Sequence, residues 1–587
     1  MKRFLGLVVL TGVLVAVTPV LAQSTVSSLY VAYPPPKHQT TAEKIFLIGS
    51  APAKGEVTVN GKPVVRSNAG HFAPSFPLAI GVNKFQLRYG DKQLNITVTR
   101  NKTEPEIPKT AAFAKDSLTP AVDIAKLPEE LICFGAIAPP EAKVAVRLAN
   151  QTVALLPQAG LLQLPANSAI LNAQNQPTAS SNTGKYEGCT TLATVGNLGK
   201  PLYELNFQGQ TVTQAGTGSV NILSQQNLEV VEVTAEAGVT RTGASTDYSR
   251  LTPLPKGTRA AVTGKEGEWL RLDYGAWIKA AETKMVGGNV PPRSLIRSIT
   301  SRQVPGATEI IFPLQVPVPV AVRQANNQFT LTLYNTTAQT DTIRLDEDPI
   351  IDRLDWQQVS PTQIDYTFQL KNQQQWGYDL LYQGTSLVLT LRHPPQALDS
   401  QLKGIKILLD PGHGGSESGA KGSTGYPEKA ANLVTSQLLA EELKQLGATV
   451  YLTRETDIDL SLEERVKAID KIKPDLAISI HYNALPDGGD AMNTKGISTF
   501  WYHPQAHDFA EFIHDYLIKN LHHPNAGTFW NNLALTRPHT ASSVLLELGY
   551  IINPEEFEWI TNSEEQKKLS KSIALGINEW FAKYSKL

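Results

Sequence analysis

Four side chains, far apart in the chain, occupy positions suited to joint chemistry. His413 follows an apolar run in ILLDPGHGGSESGAKG (407–422), and His481 ends another in AISIHYNA. Glu547 lies inside VLLELGY, and Glu428 opens the helix-like run PEKAANLVTSQLLAEELKQLG. Two imidazoles plus one carboxylate are the usual ligand set of a hydrolytic zinc site, with a fourth position left for water. A second, unligated carboxylate nearby can take the proton of that water. The glycines around His413 let the backbone bend sharply and come close to other groups. Asp410 is expected either to support the histidine through a hydrogen bond or to serve the Asp-Pro-Gly turn.

Each residue also has a plainer reading. The chain has 11 histidines, and a lone one is usually a surface group. Glu428 could cap its helix, where a carboxylate suits the dipole, and Glu547 could pair with Arg537. His503, His507 and Glu511 form a competing cluster at helical spacing, but Pro504 interrupts it and no glycine-rich loop opens beside it. We place that cluster on a solvated face. His522 and His523 read as helix-end polar residues, whereas His539 could reach a substrate.

The elements that would position these groups start near residue 403. Strand-like IKILLD, ATVYLTR, DLAISI, GISTFWY and SSVLLEL alternate with helix-like runs, which predicts a largely parallel α/β sheet. In such sheets the carboxyl ends of the strands line the ligand crevice. Leu433, Leu439, Leu443 and Leu446 are expected near one face of the first helix, which stops at Gly447. Ser461 and Glu464 form a capping box at the second.

Taken in order, ILLDPGHGGSESGAKG, GYPEKAANL, LTRETDIDLSLEERV, AISIHYNA and VLLELGYIINPEE resemble the zinc N-acetylmuramoyl-L-alanine amidases of the AmiC type (amidase family 3), over about 403–585. The resemblance implies one Zn2+ held by His413, Glu428 and His481, with Glu547 as catalytic carboxylate. It implies a peptidoglycan substrate, cut between N-acetylmuramic acid and L-alanine. Ser542-Ser543 stands where the family usually has a proline before the valine. Some relatives carry a long helical plug after the SIHYNA segment. Here only LPDGGDAMNTKG intervenes, so restraint would come from elsewhere, for example through a wall-associated activator.

The 587 residues are too many for one core. With 53 basic against 54 acidic side chains, no basic surface is expected, which argues against a nucleic-acid partner. Residues 1–22 have the basic start, apolar run and Ala22 end of a signal peptide. No other apolar run is long enough to span a bilayer, so the cleaved protein is expected to be periplasmic or cell-wall associated. Cys133 and Cys189 are expected to form a disulfide there.

Before residue 400 the pattern is all β. Residues 25–100 read as an immunoglobulin-like sandwich with an Asn60-Gly61 hairpin, and 101–127 as a linker. Residues 128–225 read as a second sandwich, aligned with the first through Gly70 on Gly184 and Phe72 on Tyr186. Residues 228–283 resemble a bacterial SH3-like domain, with Trp269 and Trp277 as core residues. Residues 295–393 resemble an AMIN-type wall-targeting domain, in which Pro313, Pro317 and Pro319 imply an edge strand. The expected architecture is therefore several β modules followed by an α/β amidase domain at 403–587. Two alternatives are another zinc peptidoglycan peptidase, cutting within the stem peptide, and a non-catalytic wall-binding scaffold.

Overall fold

The computed structural model describes residues 27–584 except 103–105, 159–161, 166–168, 171–175, 180–183, 288–290, 346 and 398–400. The expected signal segment, 1–22, lies outside the described residues. Among those described, no helix is long and apolar enough to cross a membrane.

The C-terminal domain is built on one sheet of six strands. They are β1 (Lys406–Pro411), β2 (Thr449–Leu452), β3 (Leu476–Asn483), β4 (Ile497–Trp501), β5 (Asn525–Trp530) and β6 (Ser542–Tyr550), in the order β2-β1-β3-β6-β4-β5. Strands β2, β1, β3 and β6 are parallel neighbours, but β4 runs antiparallel to β6 and carries β5 with it. The sheet is thus mixed, and only its first four strands aim their carboxyl ends at a common edge.

Five α-helices cover it: α1 (Glu428–Gln445), α2 (Leu462–Ile472), α3 (Pro504–Leu521), α4 (Pro554–Ile560) and α5 (Ser563–Tyr584). Side chains alternate across a strand, so Ile407 and Leu409 join the core of α1, α3 and α5 while Leu408 meets Ile469 of α2 on the other face. Helix α1 is covered by the sheet on one side and α5 on the other. It buries Ala431, Thr435 and Ser436 as well as Leu439 and Leu443, while Leu433 lies off that stripe. The Ser461–Glu464 capping box starts α2 as expected.

The β part contains four packed units. In the first, Thr58–Val59 and Lys62–Pro63 pair through the Asn60-Gly61 turn, both residues at positive φ as that turn type requires. Its KIFLIGS run is buried on both sides: Ile45 and Leu47 enter its own core, while Phe46 and Ile48 join the core of the C-terminal domain. This double burial explains the unbroken apolar stretch. Phe72 and Tyr186 each sit in the core of their own unit. Cys133 and Cys189 face each other across antiparallel strands and are bonded.

Several expectations need correction. Residues 101–127 are no free linker in their second half, because Phe113, Leu118 and Ile124 enter the second core. Ile124–Lys126 also pairs with Arg259–Glu266, joining the second sandwich and the next unit in one sheet. In that unit Trp269 and Trp277 are buried, yet the core uses Leu270, Leu272 and Ile278. Strand alternation puts the two indoles on the other face, near the cations of Lys279 and Arg271. Pro313, Pro317 and Pro319 lie in the connection before the edge strand Val320–Ala325 and not within it, since proline cannot donate to a ladder.

The fourth unit docks on the C-terminal domain through Trp376, which packs against Trp580 and Phe581. Arg392 reaches the carbonyls of Pro474 and Thr540 and pairs with Asp475 at 2.7 Å. Replacing Trp376 by alanine is expected to destabilise by about 3–5 kcal/mol. Calorimetry should then resolve separate transitions for the two units. A single, unshifted transition would show that the indole does not couple them.

Candidate metal centre

His413, Glu428 and His481 come from three different elements and converge. One ligand atom from each lies within 4.8 Å of the others. His481 lies near the carboxyl end of β3, where the parallel register sets it beside Glu547 of β6. Glu428 opens α1 behind Pro427, but its carboxylate turns inward. Its Oε2 lies 3.1 Å from His413 Nε2 and its Oε1 2.9 Å from His481 Nδ1. Further donors reach it from Ala420 N–H at 3.0 Å and Asn432 Nδ2 at 3.1 Å. Helix capping does not describe this residue.

The electrostatics follow from this crowding. Burial pushes the Glu428 carboxyl up, but hydrogen bonds from both imidazoles outweigh it and hold the group well below the usual range. Burial pulls His413 down, and the carboxylates of Glu428 and Glu417 more than reverse that. Glu417 accepts from His413 Nδ1 at 2.9 Å, which orients the ring with Nε2 toward Glu428. Glu547 has no such donors. Its Oε2 is buried and unpartnered, and burial together with the Glu428 charge holds its pKa well above normal.

The glycines are required by contact distance. His413 itself has φ +57, an uncommon conformation for a non-glycine residue. A Cβ on Gly412 would stand 2.1 Å from the His481 ring, and one on Gly419 would stand 2.5 Å from Glu428 Oε2. A bulkier loop could not fold over these three side chains.

What holds the loop is a pair of buried arginines. Arg465 of α2 donates to Asp410 Oδ1, Pro411 O and His413 O at 2.7–2.8 Å. Arg454 donates to Pro411 O and Gly412 O at 2.9 Å. Asp410 also accepts from Thr453 and Ser479. Asp410 therefore does not touch the His413 ring; it fixes the arginine that fixes the His413 backbone. Asp457 and Asp459 take the Gly415 and Ser416 N–H groups. Both arginines stand in the quoted motifs, at an arginine after β2 and four residues past the capping serine, yet charged residues there read as solvated.

The remaining candidates stay outside. Glu547 does not meet Arg537, which lies at the other end of the sheet in an interdomain cavity. His507 pairs with Glu511 at 3.1 Å on the surface, but His503 is not solvated: burial holds it down to about 3, and its Nε2–H donates to Arg537 O. His539 stacks on Tyr378 of the fourth unit at 4.6 Å. His522 caps α3 and His523 stacks on Trp559.

Residues 407–579 match the family model described as N-acetylmuramoyl-L-alanine amidase. Over 183 residues the chain is 36% identical to the probable cell wall amidase LytH of Staphylococcus aureus, covering 31% of this chain. It spans about 60% of the length of the curated relatives it matches. Among solved structures it is similar to the CwlV catalytic domain of Bacillus (Paenibacillus) polymyxa var. colistinus, 31% identical over 30% of this chain and 97% of that one, with TM-score 0.29. It is also similar to AmiC2 of Nostoc punctiforme, 28% identical over 30% and 96% of the two chains, with TM-score 0.29.

Removing one member of a buried ion pair leaves an uncompensated charge. Arg465→Met is therefore expected to destabilise by about 3–5 kcal/mol and to weaken zinc binding by releasing His413. Denaturant unfolding and zinc titration check this. Asp410→Leu with Arg465→Met should recover stability but not zinc affinity.

Proposed function

We propose that the C-terminal domain is a zinc-dependent N-acetylmuramoyl-L-alanine amidase, cutting the amide between N-acetylmuramic acid and the L-alanine of the stem peptide. The observation that carries this reading is the meeting of His413, Glu428 and His481 beside a buried, unpartnered Glu547 oxygen. The donor set fits zinc, being two imidazoles and one carboxylate, the usual ligands of a hydrolytic site. The family match over 407–579 supports the same reading.

His413, Glu428 and His481 would hold the ion, and Glu417 would keep the His413 ring in its ligating orientation. When bound, zinc supplies Lewis acidity toward a water or the substrate carbonyl. Glu547 would take the proton from the attacking water and return it to the leaving α-amine of L-alanine. Such transfer is typically worth about 10²–10⁴ in rate.

We assign residues 1–22 to a cleaved signal peptide and the protein to the periplasm or cell wall. The four β units, immunoglobulin-like, sandwich, SH3-like and AMIN-like in our reading, would place the amidase on peptidoglycan. The short segment after His481 is described and contains no helix, and Asp487 within it contacts Tyr33 and His38 of the first unit. Restraint by a helical plug in that segment is not part of the proposal, and a wall-associated activator is proposed in its place.

Digestion of purified peptidoglycan with and without chelator tests the activity. Intact free stem peptides are expected, lost on chelation and restored by zinc. Shortened stems would instead mean a peptidase, and no product with no bound zinc would mean a scaffold. Glu547→Gln should keep stoichiometric zinc and lose at least about 10²-fold in turnover. Near-normal turnover would remove Glu547 from the mechanism.

A further inference from the structure

Three units meet around a cavity of about 380 Å³. Arg250 and Tyr274 line it from the third unit, Tyr334 from the fourth, and Tyr502, Trp530 and Arg537 from the C-terminal domain. This volume suits a small ligand. The cavity is remote from the metal centre. Strand β4 runs opposite to β6, pairing Ser498 with Glu547 but Trp501 with Val544, so Tyr502 leaves the sheet at the far end from Glu547. The offset along the strand is about 10 Å for three residues alone.

Among the described residues the charge in this cavity is answered only in part, by the field of Glu282 on Arg250. Arg241 and Arg250 face each other across an isolated antiparallel bridge, where like charges repel. Arg241 is engaged with the carbonyls of Thr246 and Tyr248 at 2.7 and 2.6 Å. Arg250 and Arg537 form no side-chain hydrogen bond or ion pair among the described residues. The carboxylate whose field reaches Arg250 is Glu282, and it accepts from the Val239 N–H at 2.7 Å. Burial and the two neighbouring guanidinium groups pull Arg537 down to about 10. The nearby His503 is held neutral by burial and adds nothing. One wall is aromatic: the Tyr502 and Trp530 rings lie 5.4 Å apart at 31°, and Trp530 is 60% exposed.

We infer that this cavity is an oxyanion-binding site, in which Arg250 and Arg537 grip a carboxylate or phosphate while Tyr502 and Trp530 receive the body that carries it. Guanidinium groups match planar oxyanions with paired hydrogen bonds, and an aromatic face suits the apolar side of a peptide or sugar. A bound anion would relieve the mutual repulsion of the arginines, so occupancy would also tighten the junction of the three units. Given the wall substrate proposed above, on which the choice of probe rests, the carboxylates of a stem peptide are the expected source. The site itself depends only on the cationic cavity.

The test is binding to the full-length chain, which stands apart from hydrolysis. By calorimetric titration a free stem peptide should bind, and Arg250→Gln with Arg537→Gln should weaken it about tenfold or more. The same peptide with its carboxyls amidated should bind the unchanged protein as weakly. Inorganic phosphate is the second probe. Phosphate binding that the double variant loses, without peptide binding, would keep the site and move its source to a phosphate-bearing polymer. The double variant should also melt higher than the unchanged protein when both are unliganded, because it removes the clustered charge. If it fails to fold, Arg250→Lys with Arg537→Lys keeps the charge, loses the paired geometry and should still bind more weakly. Equal affinity of the unchanged and substituted chains for both probes, or binding of neither, overturns the site.

Discussion

The cluster of His413, Glu428 and His481 depends on a buried ion pair that includes none of its members. Arg465 and Asp410 are 2% and 1% exposed and meet at 2.7 Å. Desolvating two charges is unfavourable, and such a pair holds only when its remaining hydrogen-bonding capacity is filled. Here it is filled. Asp410 also takes Thr453 and Ser479, while Arg465 gives its other hydrogens to backbone carbonyls at Leu460, Pro411 and His413. The pair thus turns helix α2 and strand β1 into a bracket for a loop with little side-chain bulk of its own. A glycine-rich loop gives close approach but no rigidity, and the arginines supply what the glycines lack.

The convergence of His413, Glu428 and His481 was legible because it combines unusual residues with unusual places. A histidine at a strand end followed by glycines is hard to explain by packing, and five motifs in order narrowed the choice of partners. Their supports were not legible. Arg454 and Arg465 look like solvated charges in a helical or loop pattern, and only the folded chain reveals the carbonyls they face. The ion pair that engages Asp410 was missed for the same reason. The burial of His503 and His539 was missed for a different one. Their surroundings are built by Tyr378 of another unit, so no local pattern could have predicted their burial.

The β units show where period and composition lose resolution. Alternation located most strands, and Asn60-Gly61 marked its hairpin. Alternation does not say which of two covered faces a side chain joins: Trp269 and Trp277 are buried as expected, but on the face away from Leu270, Leu272 and Ile278. Residues 111–126 have no regular period, yet Phe113, Leu118 and Ile124 are buried. A single apolar residue every few positions suffices when a neighbouring sandwich supplies the rest of the surface. Pairing between Ile124–Lys126 and Arg259–Glu266 joins segments more than a hundred residues apart, beyond any windowed reading.

Contact between the first unit and the C-terminal domain has a temporal side. Tyr33 and Asp487 are 454 positions apart, and Phe46 and Ile48 share a core with strands that begin after residue 400. A chain emerging in order from the ribosome makes the earlier surface long before its cover exists. Assembly of this interface is consequently a late event in the making of the chain. Until it occurs, the nascent polypeptide carries an apolar strip without its cover.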